Sequence, residues 1–191
     1  MGLKKSISKI LVRLHGWKLV GKPVPPETNR CVFVYAPHTS NWDWYFGTIN
    51  MFAWGLPMKV AIKDFWMKFP VGFFVRWLGG VAIDRSNTKG LSQVEKLASL
   101  FKTNDKISFV ITPEGSRSKR TRWKTGFFHI AHSAQVPIVM LKADFPNRIV
   151  EYGPVLDTND GKDHVMTEVM KFFKECGPIH PKNFALDERW S

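Results

Sequence analysis

Cysteine is scarce in this chain of 191 residues: Cys31 and Cys176 stand alone, far apart, with no metal or redox spacing. That excludes a disulfide framework and a thiolate metal site, and makes a reduced intracellular setting the default. Long hydrophobic runs are also missing. A membrane span needs roughly 20 mostly apolar residues. The run from Trp44 to Pro57 is too short, and the one from Phe65 to Ile83 is broken by Lys68, Pro70, Arg76 and several glycines. Residues 1–16 carry basic side chains without a continuous apolar core or a small-residue cleavage site, so no signal peptide is expected. Met1, Gly2 and Ser6 formally match a myristoylation motif too short to carry weight. No internal repeat, low-complexity tract or linker divides the chain.

Acidic residues are few as well. Against 28 Lys and Arg there are 16 Asp and Glu, leaving a net charge of +12. Such a field attracts polyanions, and charge alone does not separate nucleic acid, an anionic bilayer and a phosphorylated substrate. Tyrosine is the rare aromatic, three against eight Trp and fifteen Phe. Rings in that proportion suit a surface that meets lipid at least as well as one that stacks bases, while any single ring serves first as core.

What is present fits one folded unit. The hydrophobic fraction is 44%, in blocks bounded by Gly and Pro, which excludes disorder, and the length suits a single domain. Short β-branched runs alternate with helical segments, predicting an α/β domain with a mainly parallel central sheet flanked by helices. Strands are expected near Val32–Ala36, Lys59–Ile62, Val81–Asp84, Ile107–Thr112 and Ile138–Leu141, with another around Arg148–Tyr152. Helical stripes run through Leu91, Val94, Leu97, Ala98 and Phe101, and through Val165, Val169, Phe172, Phe173 and Cys176, the latter closed by Gly177 and Pro178. From His180 the chain reads as an irregular tail. At the other end, Leu3, Ile7, Ile10, Leu11 and Leu14 share one helical face, with Lys4, Lys5, Lys9 and Arg13 on the others. Residues 1–16 therefore read as an amphipathic helix lying in lipid headgroups, ahead of a main domain over 17–191; the same pattern fits a basic helix docked on the protein's own core.

Three polar clusters fall where strands end, the place where open α/β sheets hold ligands. In Ala36-Pro37-His38-Thr39-Ser40-Asn41-Trp42-Asp43 the two titratable side chains are five residues apart. At about 100° per residue a regular helix would turn Asp43 well away from His38, so they can meet only across a turn. His38 is expected to leave the strand end, Ser40 or Asn41 to cap a helix, and Asp43 to lie in its first turn. Asp43 could then hold one imidazole nitrogen while the other takes a proton from a hydroxyl of the substrate. Taken alone, the spacing is a weak signal. The second cluster, Gly79 to Arg85, puts a guanidinium just past a buried strand. In the third, Phe109 to Ser118, a tight turn holds Glu114, Gly115 and Arg117. Arg85 and Arg117 could clamp a phosphate, Gly115 would allow close backbone approach, and Glu114 could accept from an acceptor hydroxyl or steady an arginine. A Glu–Arg pair that merely steadies a loop is the plain alternative.

With these blocks in this order, the sequence resembles the glycerolipid acyltransferases typified by lysophosphatidic acid acyltransferases. His38 and Asp43 match the first block, Val81–Arg85 the second, Pro113-Glu114-Gly115-Ser116-Arg117-Ser118 the third and Val136-Pro137-Ile138 the fourth. Ala61-Ile62-Lys63 and Phe69-Pro70-Val71-Gly72 also look like the family, and the resemblance runs from about Val32 to Leu141. It implies an O-acyltransferase that uses acyl-CoA or acyl-carrier protein as co-substrate, needs no cofactor and no metal, and transfers the chain directly to a hydroxyl of a lysophospholipid such as lysophosphatidic acid. His38 and Asp43 would be catalytic; Arg85, Glu114, Gly115, Ser116 and Arg117 would bind the acceptor, with Lys63 a further phosphate contact. The expected partners are the lysolipid, the donor and an anionic membrane surface, at the cytoplasmic face of which the protein would sit peripherally. Pro37 stands where the family often has Asn, and Ser116 where Thr is usual. No counterpart of the family's longer N-terminal membrane segment is expected here, and only the short basic helix could replace it.

Other features rank lower. His129 and His132 lie three apart on a helix without a third ligand and read as structural. Cys31 falls in a strand and reads as core. The run Lys119, Arg120, Arg122, Lys124 reads as a solvated loop with some pull on anionic lipid or the donor's phosphates. The alternatives are an acyltransferase-fold protein acting on a non-glycerol lipid, a lipid-binding protein without turnover, and a basic nucleic-acid-binding module. The last leaves the three clusters unexplained, so no nucleic acid is expected as partner.

Overall fold

The computed structural model describes residues 2–23, 27–56, 58–63, 68, 71–77, 79–83 and 93–191. Its sheet has seven strands: β1 (Lys18–Val20), β2 (Val32–Ala36), β3 (Met58–Lys63), β4 (Gly80–Ile83), β5 (Ser108–Ile111), β6 (Ile138–Asp144) and β7 (Ile149–Leu156), in the order β1-β7-β6-β2-β5-β3-β4. Every neighbouring pair is parallel except β6 and β7. Those two are joined by the short turn 145–148, too short for a crossover, where Asp144 accepts the Asn147 amide at 3.2 Å and Arg148 takes φ +52°. Among the described residues the α-helices are α1 (Gly2–Leu14), α2 (Asn41–Trp54), α3 (Val71–Trp77), α4 (Gln93–Lys102), α5 (Gly126–Ala134) and α6 (Lys162–Phe173).

Strand β2 lies at the centre, and all five of its residues are buried. The unbroken apolar run of this segment follows, because a central parallel strand is covered on both faces and has no solvent side for alternation. Its side chains divide the core. Val32, Val34 and Ala36 join Phe109, Ile138 and Met140 under α4, α5 and α6. Phe33 and Tyr35 join Val139 and Leu141 on the opposite face, under α1 and α2.

Helix α1 packs along α2 by the face that carries Ser8 and Val12. Its apolar stripe points away from the protein: Ile10 is 59% and Leu14 76% exposed, with Leu3 and Ile7 beside them. Lys4 lies over the Phe52 ring at 5.6 Å, and the Lys5 side chain runs across Gly55, the left-handed C-cap of α2. Among the described residues no helix is long and apolar enough to cross a membrane.

The C-terminal segment is irregular but tied down. Asp187 is fully buried and accepts the Trp123 backbone N–H at 2.6 Å and the Arg189 guanidinium at 2.7 Å. Trp123 is itself buried; its indole N–H donates to the Ala185 carbonyl at 2.9 Å, and Arg189 donates to the Trp123 carbonyl. Burial works against the Asp187 charge, yet the Arg189 side chain and the two amides outweigh it and hold the carboxyl below its ordinary range. The helical stripe expected to reach Cys176 ends earlier, at Phe173.

Candidate active site

The strand order sets the site. β2, β5 and β3 are parallel neighbours, so the segments leaving their carboxyl ends emerge side by side: His38 after β2, Glu114 after β5 and Lys63 at the end of β3. After β2 the chain turns through a cis Ala36–Pro37 peptide and His38 into α2. Ser40 caps that helix in an extended conformation, its hydroxyl accepting the Trp42 N–H at 3.2 Å. Asp43 closes the capping box from the third helical position: Oδ2 accepts the Ser40 N–H at 2.6 Å and also the Thr39 N–H. The turn thus folds Asp43 back under His38, and Oδ2 stands 3.6 Å from His38 Nδ1. That separation is longer than a hydrogen bond; the two amides occupy the oxygen nearest the ring. Asp43 is fully buried, and its Oδ1 has no hydrogen-bond partner among the described residues. His38 remains about a quarter exposed.

The loop after β5 meets this turn from the side. Glu114 is 5% exposed, and its Oε1 accepts the His38 backbone N–H at 3.1 Å, so one carboxylate fixes the main chain of the histidine while another lies under its ring. Glu114 Oε2 is buried without a partner among the described residues. Burial pushes this carboxyl up to about 7; the His38 amide and imidazole partly offset the rise, and the nearby Asp43 adds to it. Gly115 follows at φ +64°, in a turn closed by its N–H on the Thr112 carbonyl. Ser116 Oγ accepts the Ser118 N–H at 3.1 Å. Arg117 is exposed and donates from Nη1 to Oδ1 of Asn41, the first residue of α2, rather than into the cavity. Arg85, proposed as the other half of a clamp, lies outside the described residues, and Lys63 is placed by its backbone alone.

Below His38 and Asp43 lies a cavity of about 460 Å³. Its polar lining includes these two residues with Thr48, Gln93, Thr112 and Lys124, and its apolar lining includes Met51, Met58, Leu97, Val110, Phe127 and Ile130. The arrangement offers an imidazole for proton transfer beside a pocket able to take an apolar chain. Neither cysteine competes as a nucleophile. Cys31 is packed against Ser108, and burial pushes both its thiol and that of Cys176 up to about 12. His132 bonds to Thr158 and stacks on Phe128, and among the described residues no group of three or more metal-ligating side chains gathers.

Two participants escape the sequence pattern, and a third, Lys124, expected in a solvated loop with some pull on anionic lipid or the donor's phosphates, lines the cavity. His180, in the supposed tail, donates its N–H to Thr39 Oγ1 at 3.3 Å, beside the histidine turn. Asp187 anchors Trp123, the neighbour of Lys124. The three reach the site through contacts across the sequence, which local periodicity does not encode; the lone Asp beside Arg and Trp in the tail was the one available signal.

The chain is thus an α/β protein with a histidine and two buried carboxylates gathered on adjacent strand ends beside a largely apolar cavity. The acyltransferase family model matches residues 18–141, and the chain belongs to that family. It is similar to the 1-acyl-sn-glycerol-3-phosphate acyltransferase of Escherichia coli (strain K12), 30% identical over 163 residues, a match covering 75% of this chain and 64% of that protein. The protein of the same name from Limnanthes douglasii is 24% identical over 196 residues, covering 75% and 69%. The chain thus spans just under two thirds of the bacterial relative. Among solved structures, the 1-acyl-sn-glycerophosphate (LPA) acyltransferase PlsC from Thermotoga maritima shares the fold, with a TM-score of 0.63 at 16% identity over 91% of this chain and 76% of that one.

Proposed function

We propose that this protein transfers a fatty acyl group from a thioester, acyl-CoA or acyl-carrier protein, to a hydroxyl of a lysophospholipid such as lysophosphatidic acid. The observation that carries the proposal is the His38–Asp43 pair, 3.6 Å apart at the carboxyl end of the central strand and facing the cavity. His38 Nε2 takes the proton of the acceptor hydroxyl as its oxygen attacks the thioester carbonyl carbon. Asp43 orients the ring through Nδ1 and stabilises the imidazolium, a contact that tightens by a few tenths of an ångström as positive charge develops. The tetrahedral intermediate then collapses, the carbon–sulfur bond breaks, and the imidazolium proton passes to the departing thiolate. No acyl-enzyme is formed. The apolar part of the cavity takes the acyl chain, and Glu114 keeps the histidine backbone in place.

The same reading sets the protein on an anionic membrane surface. The outward stripe of α1, with Lys9 and Arg13 exposed beside it, ends at Leu14, which lines one groove with Trp42 on the first turn of α2, 61% exposed and four residues from His38. A bilayer in contact with that face would present the lysolipid beside the site. Incubation with radiolabelled acyl-CoA, or acyl-carrier protein, and a panel of lysolipids on vesicles tests the assignment. Labelled diacyl product is expected from a phosphorylated lysolipid. Absence of product with every acceptor and both donors contradicts it, as does an acyl-protein adduct seen by mass spectrometry with donor alone.

A further inference from the structure

The described residues lining the cavity include one carboxylate, Asp43, and one Lys or Arg, Lys124. Lys124 is solvent-exposed yet lines the cavity, so it stands at the rim. Its position is fixed from behind: its backbone N–H donates to the Pro113 carbonyl at 2.8 Å, and the preceding Trp123 is held by Asp187 and Ala185. From there the side chain runs across Gly115. A Cβ at Gly115 would lie 2.9 Å from Lys124 Cδ and Cε and 3.1 Å from Nζ, so the glycine leaves room for the lysine as well as adopting positive φ. The ammonium makes no hydrogen bond or ion pair with any described residue. Arg117, one of the cations expected near a phosphate, donates to Asn41 and does not line the cavity; Arg85 lies outside the described residues.

We infer that Lys124 is a phosphate-binding residue of this site, its ammonium meeting a co-substrate phosphate at the cavity rim over Gly115. A lysine suits the task as a compact charge with three donors, and the adjoining apolar walls strengthen its field. The phosphate belongs either to the lysolipid acceptor or to the donor's carrier, and the two sources give different kinetics. This inference rests on the acyl-transfer reading, so the test separates the two.

Steady-state kinetics and equilibrium binding are measured for the wild type, Lys124→Gln, Lys124→Arg and His38→Ala. Binding uses lysophosphatidic acid without donor, and acyl-CoA without acceptor. Losing one charge-assisted contact should raise the KM and Kd of one phosphorylated co-substrate about 10- to 100-fold in Lys124→Gln, with kcat within about threefold. Lys124→Arg should recover most of that loss. An effect confined to lysophosphatidic acid, and absent with a neutral monoacylglycerol acceptor, assigns the acceptor phosphate; one confined to acyl-CoA assigns the donor. His38→Ala should bind both ligands like the wild type and turn over neither. Unchanged KM and Kd for both co-substrates in Lys124→Gln, or a fall in kcat alone, overturns the inference and leaves the acyl-transfer reading standing. A wild type that binds lysophosphatidic acid through Lys124 without transferring an acyl group supports the phosphate site and refutes the reaction.

Discussion

Replacing Glu114 by Gln should stabilise the protein, and only above the acidic range. The carboxyl is buried against the His38 turn with one oxygen unpartnered among the described residues, and its ionisation is displaced from 4.5 to about 7. At about 1.4 kcal/mol for each tenfold change in proton affinity, ionising it in the folded protein costs about 3 kcal/mol more than in the unfolded chain. Between pH 4.5 and 7 the folded state keeps a proton that the unfolded state has released. Stability therefore falls as pH rises through that window and levels off beyond it. The groups that act on Glu114 electrostatically are His38 and Asp43, and Glu114 in turn raises Tyr35 and Cys176. Glutamine keeps an oxygen able to accept the His38 N–H and cannot ionise. Urea denaturation of both proteins from pH 4.5 to 8.5 should give nearly equal stabilities at the acid end and a variant more stable by about 3 kcal/mol at pH 8. A difference that stays flat across the range would exclude a displaced Glu114, because it would mean that the carboxyl titrates alike in both states.

Asp187→Ala strips the Trp123 amide of its acceptor in a buried site and should lower stability by about 2 kcal/mol in chemical denaturation; an unchanged midpoint would show that the C-terminal tie contributes nothing. Ile10→Asp with Leu14→Asp alters side chains that already face outwards, so thermal unfolding should barely move while co-sedimentation with anionic vesicles falls several-fold. Equal vesicle binding by the double variant would exclude α1 as the membrane contact. Asp43→Asn can still accept the Thr39 and Ser40 amides, so circular dichroism should be unchanged while kcat drops about 10²- to 10⁴-fold; full turnover would remove Asp43 from the catalytic pair.

Local pattern carried the parts of this molecule that local chemistry controls. The apolar run of β2 gave its boundaries, Val32–Ala36, because a strand covered on both faces has no competing pattern. Ser40 and Asp43 announced a helix start through capping chemistry that acts over three residues. The strands expected at Lys59–Ile62, Val81–Asp84, Ile107–Thr112, Ile138–Leu141 and Arg148–Tyr152 formed with ends shifted by up to four residues, Asp84 lying outside the described residues. β1 was missed because three residues, Lys18–Val20, are too few to show alternation, and only its pairing with β7 makes it a strand. The periodicity of α1 was visible, but not which face docks, since the residue it buries beside Val12 is Ser8. The approach of Glu114 to His38 across 76 positions, and of Asp187 to Trp123 across 64, depends on strand order and on tertiary contacts with no local signature.

The most direct test of the account is the rate of acyl transfer by purified His38→Ala beside the wild type, using labelled donor and vesicles containing lysophosphatidic acid. A fall in kcat of at least about 10²-fold is expected, with unfolding behaviour and lysolipid binding retained, as removal of a general base requires. Undiminished transfer by the alanine variant would contradict the account.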